Sequence, residues 1–536
     1  MKSSARNTLI ASTTVVALLG AYVTADVYDK VPGVLTNAPA PEAAQNGEGD
    51  EGEVDLLDDV AGARPSEAAT APEEPPAVLH RNLQPGAASK VVDGPVEAEA
   101  AQQITDDLPE REHLLGHLQH SDQAPAQEAV KKALGDTLQD ETLGFLSLDV
   151  RDAATGEVLL QQNAERPNHL ASMTKLVSTA AVVQSGWDLN QRLETKVLLD
   201  EGNNIVVVAG GDTMLSRGMG DPLSVSGRAG LKDLAKQVAA AIEAKREAGE
   251  DLPEEFRVAL DDSQAGPMYS DDWSQVALNE GWTGKVTMLQ LFDDRARHLH
   301  PTPVDPAISA AGTFAGLLHE EGVPVQKSVP RTKGKSEGEQ LGVVRSAPVR
   351  DQLIHALQVS DNARVETITR QAALGTGGIE VKNSAPSDVG QWVVEQTKAR
   401  GIDNAGHKQF DAAGLTSKNE IPAQVLGEIL QQGASGEDPE YHRILANLSM
   451  AGLYGTLQPR FYGDGREEAR GFVRGKTGTL PMASGMAGTT VTQDGRLLTF
   501  VISSDDFERA TQPMIARKAH DAVVAALQKC ECNPSA

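Results

Sequence analysis

A serine three residues ahead of a lysine, in Ala171-Ser172-Met173-Thr174-Lys175, is a pattern that can make a nucleophile. The following Leu176-Val177-Ser178-Thr179-Ala180 reads as an apolar helix. Positions i and i+3 share a helix face, so the Ser172 hydroxyl is expected beside the Lys175 amine. A serine hydroxyl attacks poorly until a base takes its proton. A lysine can be that base when burial or a neighbouring cation lowers its pKa. Alone, the pattern describes equally well a helix N-cap serine followed by a surface lysine.

Two further segments change that balance. Ser360-Asp361-Asn362 is a polar break between Leu353, Ala356 and Leu357 on one side and Val365, Ile368 and Ala372 on the other. Such a break is a helix end facing a cleft, or an exposed helix junction. Lys476-Thr477-Gly478-Thr479 continues a strand-like Phe472-Val473-Arg474-Gly475. Small residues there would let a substrate backbone lie along the strand edge. Lys476 is also a candidate for the cation that depresses the Lys175 pKa, though it equally fits a solvent-facing edge lysine. A second S-x-N, Ser417-Lys418-Asn419, shows how unspecific one motif is. The joint order of the three carries the weight.

The elements that must hold these residues read as α+β. Gly144 to Val150 alternates like a strand, Asp152 to Gly156 is a turn, and Glu157 to Gln161 returns. Met486 to Gln493 and Arg496 to Ser503 form a hairpin around Asp494-Gly495, and Pro513 to Leu527 is a helix. Strands from both ends of this body therefore meet in one antiparallel sheet, with helices between them and the middle of the chain inserted. That middle has its own pattern: strands at Asn204 to Ala209 and Arg257 to Asp262, helices at Gly230 to Lys245 and Pro306 to Glu321.

Composition narrows the function classes. The formal net charge of −28 argues against a nucleic-acid partner, since neutralising phosphates requires clustered Lys and Arg. The two cysteines, Cys530 and Cys532, offer no metal cluster or disulfide framework. They read as a tail feature without functional weight, a bond between them closing a small strained ring. Lys2 and Arg6 precede an apolar run from Thr8 to Val23 that ends in Val23-Thr24-Ala25. This is a signal peptide or an N-terminal membrane anchor, the run being shorter than the ~20 residues of a typical spanning helix. Residues 36–106, with Ala38-Pro39-Ala40-Pro41 and Glu48 to Glu53, read as a disordered acidic linker. Its reach is on the order of 45 Å.

The three motifs in this order match the S-x-x-K, S-D-N, K-T-G set of penicillin-binding proteins and class A β-lactamases. The interval from Ser172 to Ser360 is long for a compact β-lactamase. No E-x-x-L-N lies between Asn362 and Lys476, where the class A deacylating glutamate would be sought. The chain instead resembles the D-alanyl-D-alanine carboxypeptidase/endopeptidase family, the low-molecular-mass class C penicillin-binding proteins with a domain inserted between the first two motifs. Gly210 to Leu215, Leu260 to Ser263 with Trp273, Glu366 after the second motif, Phe410 to Leu415, and Gly455-Thr456-Leu457 with Arg460 extend the likeness along the chain. Departures are Leu170 in place of a frequent Pro, Ala412-Ala413 in place of Gly-Ser, and a short insertion.

The resemblance implies a β-lactamase/transpeptidase-like domain (107–190 and 341–536) with a smaller inserted α/β domain (191–340). It implies a serine-type D-Ala-D-Ala carboxypeptidase or endopeptidase, exported to the cell envelope, acting on peptidoglycan stem peptides and acylated by β-lactam antibiotics. Contact with a membrane would be through the N-terminal segment alone. No metal or organic cofactor is implied. In this reading Ser172 is the nucleophile and Lys175 its base. Ser360 relays a proton near Lys476, and Asn362 orients the substrate amide. Thr477, Gly478 and Thr479 bind substrate, with the Ser172 and Thr479 amides as oxyanion hole. Three competitors remain: a β-lactamase, betrayed by rapid penicillin turnover; a non-catalytic wall-binding scaffold, which has no need of all five motif residues; and an esterase or aminopeptidase using the same serine.

Overall fold

The strands of the main sheet alternate between two apolar faces. On the last strand, Leu498, Phe500 and Ile502 join one buried cluster, while Val501 between them joins another. This is the period-2 pattern of a sheet covered on both sides. The computed structural model describes residues 125–532 except 298, 464 and 508–511. They lie in a unit that runs from Leu115 to Ala536. The expected signal or anchor (1–35), the linker (36–106) and the start of the body at 107 lie outside the described residues.

Along the chain come α1 (Gln127–Leu134), β1 (Phe145–Asp152), β2 (Val158–Gln162), β3 (Pro167–Asn168) and α2 (Thr174–Gln184). Next are β4 (Arg192–Leu199), β5 (Ile205–Val208), α3 (Leu231–Glu247), β6 (Val258–Asp261), α4 (Gln275–Asn279), α5 (Pro306–Glu320) and β7 (Glu339–Pro348). Then follow α6 (Val349–Val359), α7 (Asn362–Gly375), α8 (Pro386–Ala399), β8 (Ile421–Pro422), α9 (Ala423–Ala434) and α10 (Pro439–Leu445). The series closes with β9 (Ser449–Met450), β10 (Val473–Leu480), β11 (Ala483–Val491), β12 (Leu497–Asp505) and α11 (Gln512–Gln528).

The main sheet has the order β2-β1-β12-β11-β10-β9. β1 pairs antiparallel with β12, Phe145 opposite Asp505 and Asp152 opposite Leu498, so the two ends of the body are adjacent. The β11–β12 hairpin turns at Asp494-Gly495, with Gly495 at φ +86°. One face is covered by α1 and α11; the other is covered by α2, α6, α8, α9 and α10, whose apolar residues form the largest core cluster. The expected α+β class and antiparallel sheet are what the molecule has.

A second sheet, β6-β5-β4-β7, is antiparallel except for the parallel β5–β6 pair. Leu231, Leu234, Val238 and Ile242 of α3 and Ala310, Phe314 and Leu318 of α5 bury against its Val197, Ile205, Val207, Val258 and Leu260. β7 pairs with β4 from Glu339 to Pro348, so this sheet runs past the boundary expected at 340. Ladder pairing sets that end, and nothing in composition marks it.

The cysteines expected to be only a tail feature sit in the core. Cys530 and Cys532 are disulfide-bonded and buried within the cluster of α1 and α11, and the Ala126 amide donates to the Cys532 carbonyl at 3.1 Å. Free cysteine and cystine both behave as buried apolar groups; here their packing and the Ala126–Cys532 backbone bond tie the last residues to the start of the body.

Candidate active site

Ser172 lies at an irregular helix start. Ala171 has φ +48°, an unusual value for a residue with a Cβ, and opens a 3₁₀ turn (Ala171–Met173) that leads into α2. Two glycines make room for this turn. Gly414, at φ +78°, has no Cβ where one would meet the Ala171 carbonyl oxygen at 1.9 Å. A Cβ on Gly478 would lie 2.5 Å from the Leu170 oxygen and 3.2 Å from the Ser172 amide nitrogen. The K-T-G strand therefore runs directly against the Ser172 turn.

Lys175 is fully buried one turn on, with Nζ 2.9 Å from Ser172 Oγ, 2.6 Å from Asn362 Oδ1 and 2.6 Å from the Ala413 oxygen. A neutral amine has two protons and one lone pair. The amide and carbonyl oxygens can only accept, so they take both protons, and the lone pair is left for the Ser172 hydroxyl. Burial lowers the Lys175 pKa from 10.5 to about 8, against the opposing charges of Asp411, Glu366 and Asp361. The neutral form is thus within reach near physiological pH.

Ser360 and Asn362 share the break between α6 and α7. Ser360 is left-handed at φ +58°, a geometry that ends α6. Asp361 caps α7 by accepting from the Arg364 amide at 3.0 Å, and it pairs with Arg295 from the segment before α5. Its carboxyl stays below the usual range although burial pushes the other way, because Arg295 and Arg364 outweigh burial. Held so, Ser360 Oγ accepts from Lys476 Nζ at 2.9 Å, and Asn362 donates to the Trp282 carbonyl at 2.8 Å. Lys476 is fully buried, and burial, reinforced by the Lys175 charge, drives its pKa well down.

Lys175 thus bonds Ser172 and Asn362, and Lys476 bonds Ser360, the two sets meeting where Ser360 and Asn362 share the break between α6 and α7. Thr477, Gly478 and Thr479 continue β10, which extends through the K-T-G segment to Leu480. β9 pairs with β10 at Arg474 and Gly475 alone. Beyond them, among the described residues, the outer edge of β10 is open.

Sequence reasoning missed the layer beneath these residues. The Glu366 oxygen Oε1 accepts from the Ala412 and Ala413 amides at 2.8 and 2.7 Å, which fixes the backbone leading into the Ala413 carbonyl that holds Lys175. Burial, then the charge of Asp411, pushes the Glu366 carboxyl up to about 8. Asp411 accepts from the Gly414, Leu415 and Thr416 amides, from Asn419 Nδ2 and, at 2.9 Å, from Trp273 Nε1. In the sequence, Glu366, the segment Phe410 to Leu415 and Trp273 stand only as points of likeness, without a role. The partners lie far apart in the chain, and no spacing rule joins them.

A turn-held serine beside a desolvated lysine, on an α+β body with an open sheet edge, belongs to the serine acyl-enzyme peptidases built on the transpeptidase-like fold. Within that class the chain belongs to the D-Ala-D-Ala carboxypeptidase 3 (S13) family, which matches residues 130–296 and 293–529. It is 30% identical over 420 residues to carboxypeptidase DacB of Mycolicibacterium smegmatis, covering 76% of this chain and 86% of that protein. A carboxypeptidase of Mycobacterium tuberculosis is 27% identical over 421 residues, with the same shares, 76% and 86%. The fold is similar to the crystal structure of penicillin-binding protein 4 from Haemophilus influenzae: TM-score 0.58, 16% identity, 75% of this chain and 99% of that one. The family read from the motifs, the α+β class and the serine D-Ala-D-Ala peptidase assignment stand.

Proposed function

We propose that this protein cleaves the D-Ala-D-Ala bond of peptidoglycan stem peptides through an acyl-enzyme on Ser172. Lys175 takes the hydroxyl proton as Ser172 attacks the penultimate D-Ala carbonyl. The developing oxyanion is received by the Ser172 and Thr479 amides, a donor pair of a kind worth ~3–4 kcal/mol per donor. Ser360, beside Lys476, passes a proton to the leaving amine. Asn362 orients the substrate amide, and the open edge from Thr477 to Thr479 pairs with the substrate backbone. Water then releases the acyl group. A β-lactam would acylate the same serine.

The observation that carries this reading is the environment of Lys175 Nζ, whose two acceptor oxygens leave its lone pair for Ser172 Oγ. The test is incubation with a fluorescent penicillin, followed by intact mass and peptide mapping. A stable adduct on Ser172, absent from Ser172→Ala, is the expected result. Rapid penicillin turnover without an adduct would mean a β-lactamase; no reaction in folded protein would mean a scaffold or an esterase.

Export to the cell envelope is part of the same proposal, supported by the basic N-terminus and apolar run from Thr8 to Val23. Among the described residues no helix is long and apolar enough to cross a membrane. Fractionation of cells producing the full chain tests it, and recovery in the cytoplasm alone would refute it. The segment from 191 through β7 is read as a domain inserted between the first two motifs.

A further inference from the structure

Two half-buried arginines gather on the turn that follows β9. Arg474 Nη1 donates to the Tyr454 hydroxyl at 2.6 Å. Arg470 Nη2 donates to the Gly452 carbonyl at 3.1 Å and to the Tyr462 hydroxyl at 3.4 Å, and its guanidinium stands 4.5 Å from the centre of the Tyr462 ring. Its Nε is buried with no partner. Among the described residues no carboxylate pairs with either arginine, whereas Arg460, on the same segment, holds Asp521 at 3.0 and 2.8 Å. The chain has 76 acidic residues against 48 lysines and arginines, so acids are not scarce. Guanidiniums held only by neutral oxygens keep charge and donors for a carboxylate from outside.

The position of this patch says what arrives there. Arg474 lies two residues before Lys476 on β10, so strand alternation puts both side chains on one face of the sheet, ~7 Å apart along the strand. Ser449 of β9 donates to the Gln358 carbonyl at 3.2 Å, and a Cβ on Gly455 would lie 3.0 Å from the same oxygen. Gln358 and an exposed Val359 immediately precede Ser360, and the turn after β9 carries an exposed Leu453. The patch therefore adjoins the Ser360–Lys476 pair, where the leaving amine takes its proton, and is at the other end of the K-T-G segment from the Thr479 amide. A released D-alanine spans one residue, ~3.5 Å, and does not reach Arg474. Hydrolysis of a cross-link instead releases, as the amine, a second stem peptide of several residues with free carboxylates. Such a chain is long enough to pass from Lys476 over the patch, and its charge is opposite to that of the arginines.

We propose that Arg470 and Arg474, with the Leu453-Tyr454 turn, form a docking surface for the second stem peptide of a cross-link, so that the protein cuts cross-links in preference to trimming single stems. This rests on the peptidase reading above.

Two substrates with the same acyl side test it in the full-length protein. One is a stem pentapeptide ending in D-Ala-D-Ala; the other is a synthetic dimer in which the same penultimate D-Ala carbonyl is joined to the side-chain amine of a second stem peptide. Wild type should show the higher kcat/KM on the dimer, and this preference should shrink as salt screens the arginines. Arg474→Gln and Arg470→Gln should each lower the dimer-to-monomer ratio of kcat/KM about tenfold, the size of one charge-assisted bond. Arg474→Lys should recover part of the ratio. Leu453→Glu, at an exposed position that folding does not depend on, should lower it by placing a like charge in the path of the second peptide. An equal fall on both substrates would mean a packing role and overturn the proposal, as would an unchanged ratio in these variants or a wild type without preference for the dimer. A wild type that takes the penicillin label and trims the pentapeptide but leaves the dimer intact would sink this inference alone. One that neither takes the label nor cleaves either peptide would bring down the peptidase reading, and this inference with it.

Discussion

Lys175 concentrates the chemistry of this site, and its burial has consequences that can be measured. With its pKa brought from 10.5 to about 8, the base is mostly protonated at neutral pH. Acylation, read as kcat/KM, should therefore rise with pH, close to tenfold per unit at first, and level off above about pH 8. Lys175→Arg should abolish it, because a guanidinium does not release its proton. Stability responds in the same direction. Below about pH 8 both folded and unfolded chains hold the proton, and burying the cation costs stability. Between about 8 and 10.5 the unfolded chain keeps a proton that the folded one has released, so stability rises with pH across that window. Urea unfolding at pH 7.5 and pH 10 should show this rise in wild type and a smaller one in Lys175→Met; equal rises would contradict it.

At the scale of elements, catalysis depends on close approaches that a methyl group would spoil. Gly478 lets β10 run against the Ser172 turn, since its Cβ would lie 2.5 Å from the Leu170 oxygen, a backbone atom with little room to move. Gly478→Ala should push the strand edge off the Ser172 amide and lower penicillin acylation by a hundredfold or more, ~3 kcal/mol in oxyanion stabilisation, while the protein still folds. Normal labelling of that variant would show that the contact is dispensable. The second motif is placed by helix ends in a similar way. Asp361 is both the cap of α7 and the partner of Arg295. Asp361→Ala should cost about 1–2 kcal/mol in thermal unfolding, and Asp361→Asn, which keeps a capping acceptor, should cost less.

Over the whole molecule, the segment carrying the second sheet also braces the site. Trp273 donates to Asp411, Arg295 reaches Asp361, and the Trp282 carbonyl accepts from Asn362. All three come from the stretch between β6 and α5. Trp273→Phe keeps the packing but leaves Asp411 one donor short. It should lower stability by about 1–3 kcal/mol and slow acylation, since Asp411 holds the Gly414 turn on which the Ser172 turn rests. A calorimetric Tm and a penicillin labelling rate measure the two effects. Unchanged values for both would mean that the segment does not brace the site.

Much of this was legible in the chain itself. Local rules of spacing revealed that Lys175 stands beside Ser172 at a helix start, though a 3₁₀ turn and not the helix itself carries the serine, and they revealed the helix break at Ser360 to Asn362, the strand into Lys476 and the Asp494-Gly495 hairpin. Each of these depends on neighbours within a few residues, and that range is where periodicity and turn chemistry act. Ordered together, they also identified the family. Three-dimensional folding alone decided which acceptors take the protons of Lys175, that Glu366 and Asp411 hold the amides around the Ala413 carbonyl, and that Cys530 and Cys532 are core residues. These are contacts between residues up to hundreds of positions apart, and their pKa shifts come from burial. Burial is a property of the packed molecule, and no local pattern encodes it.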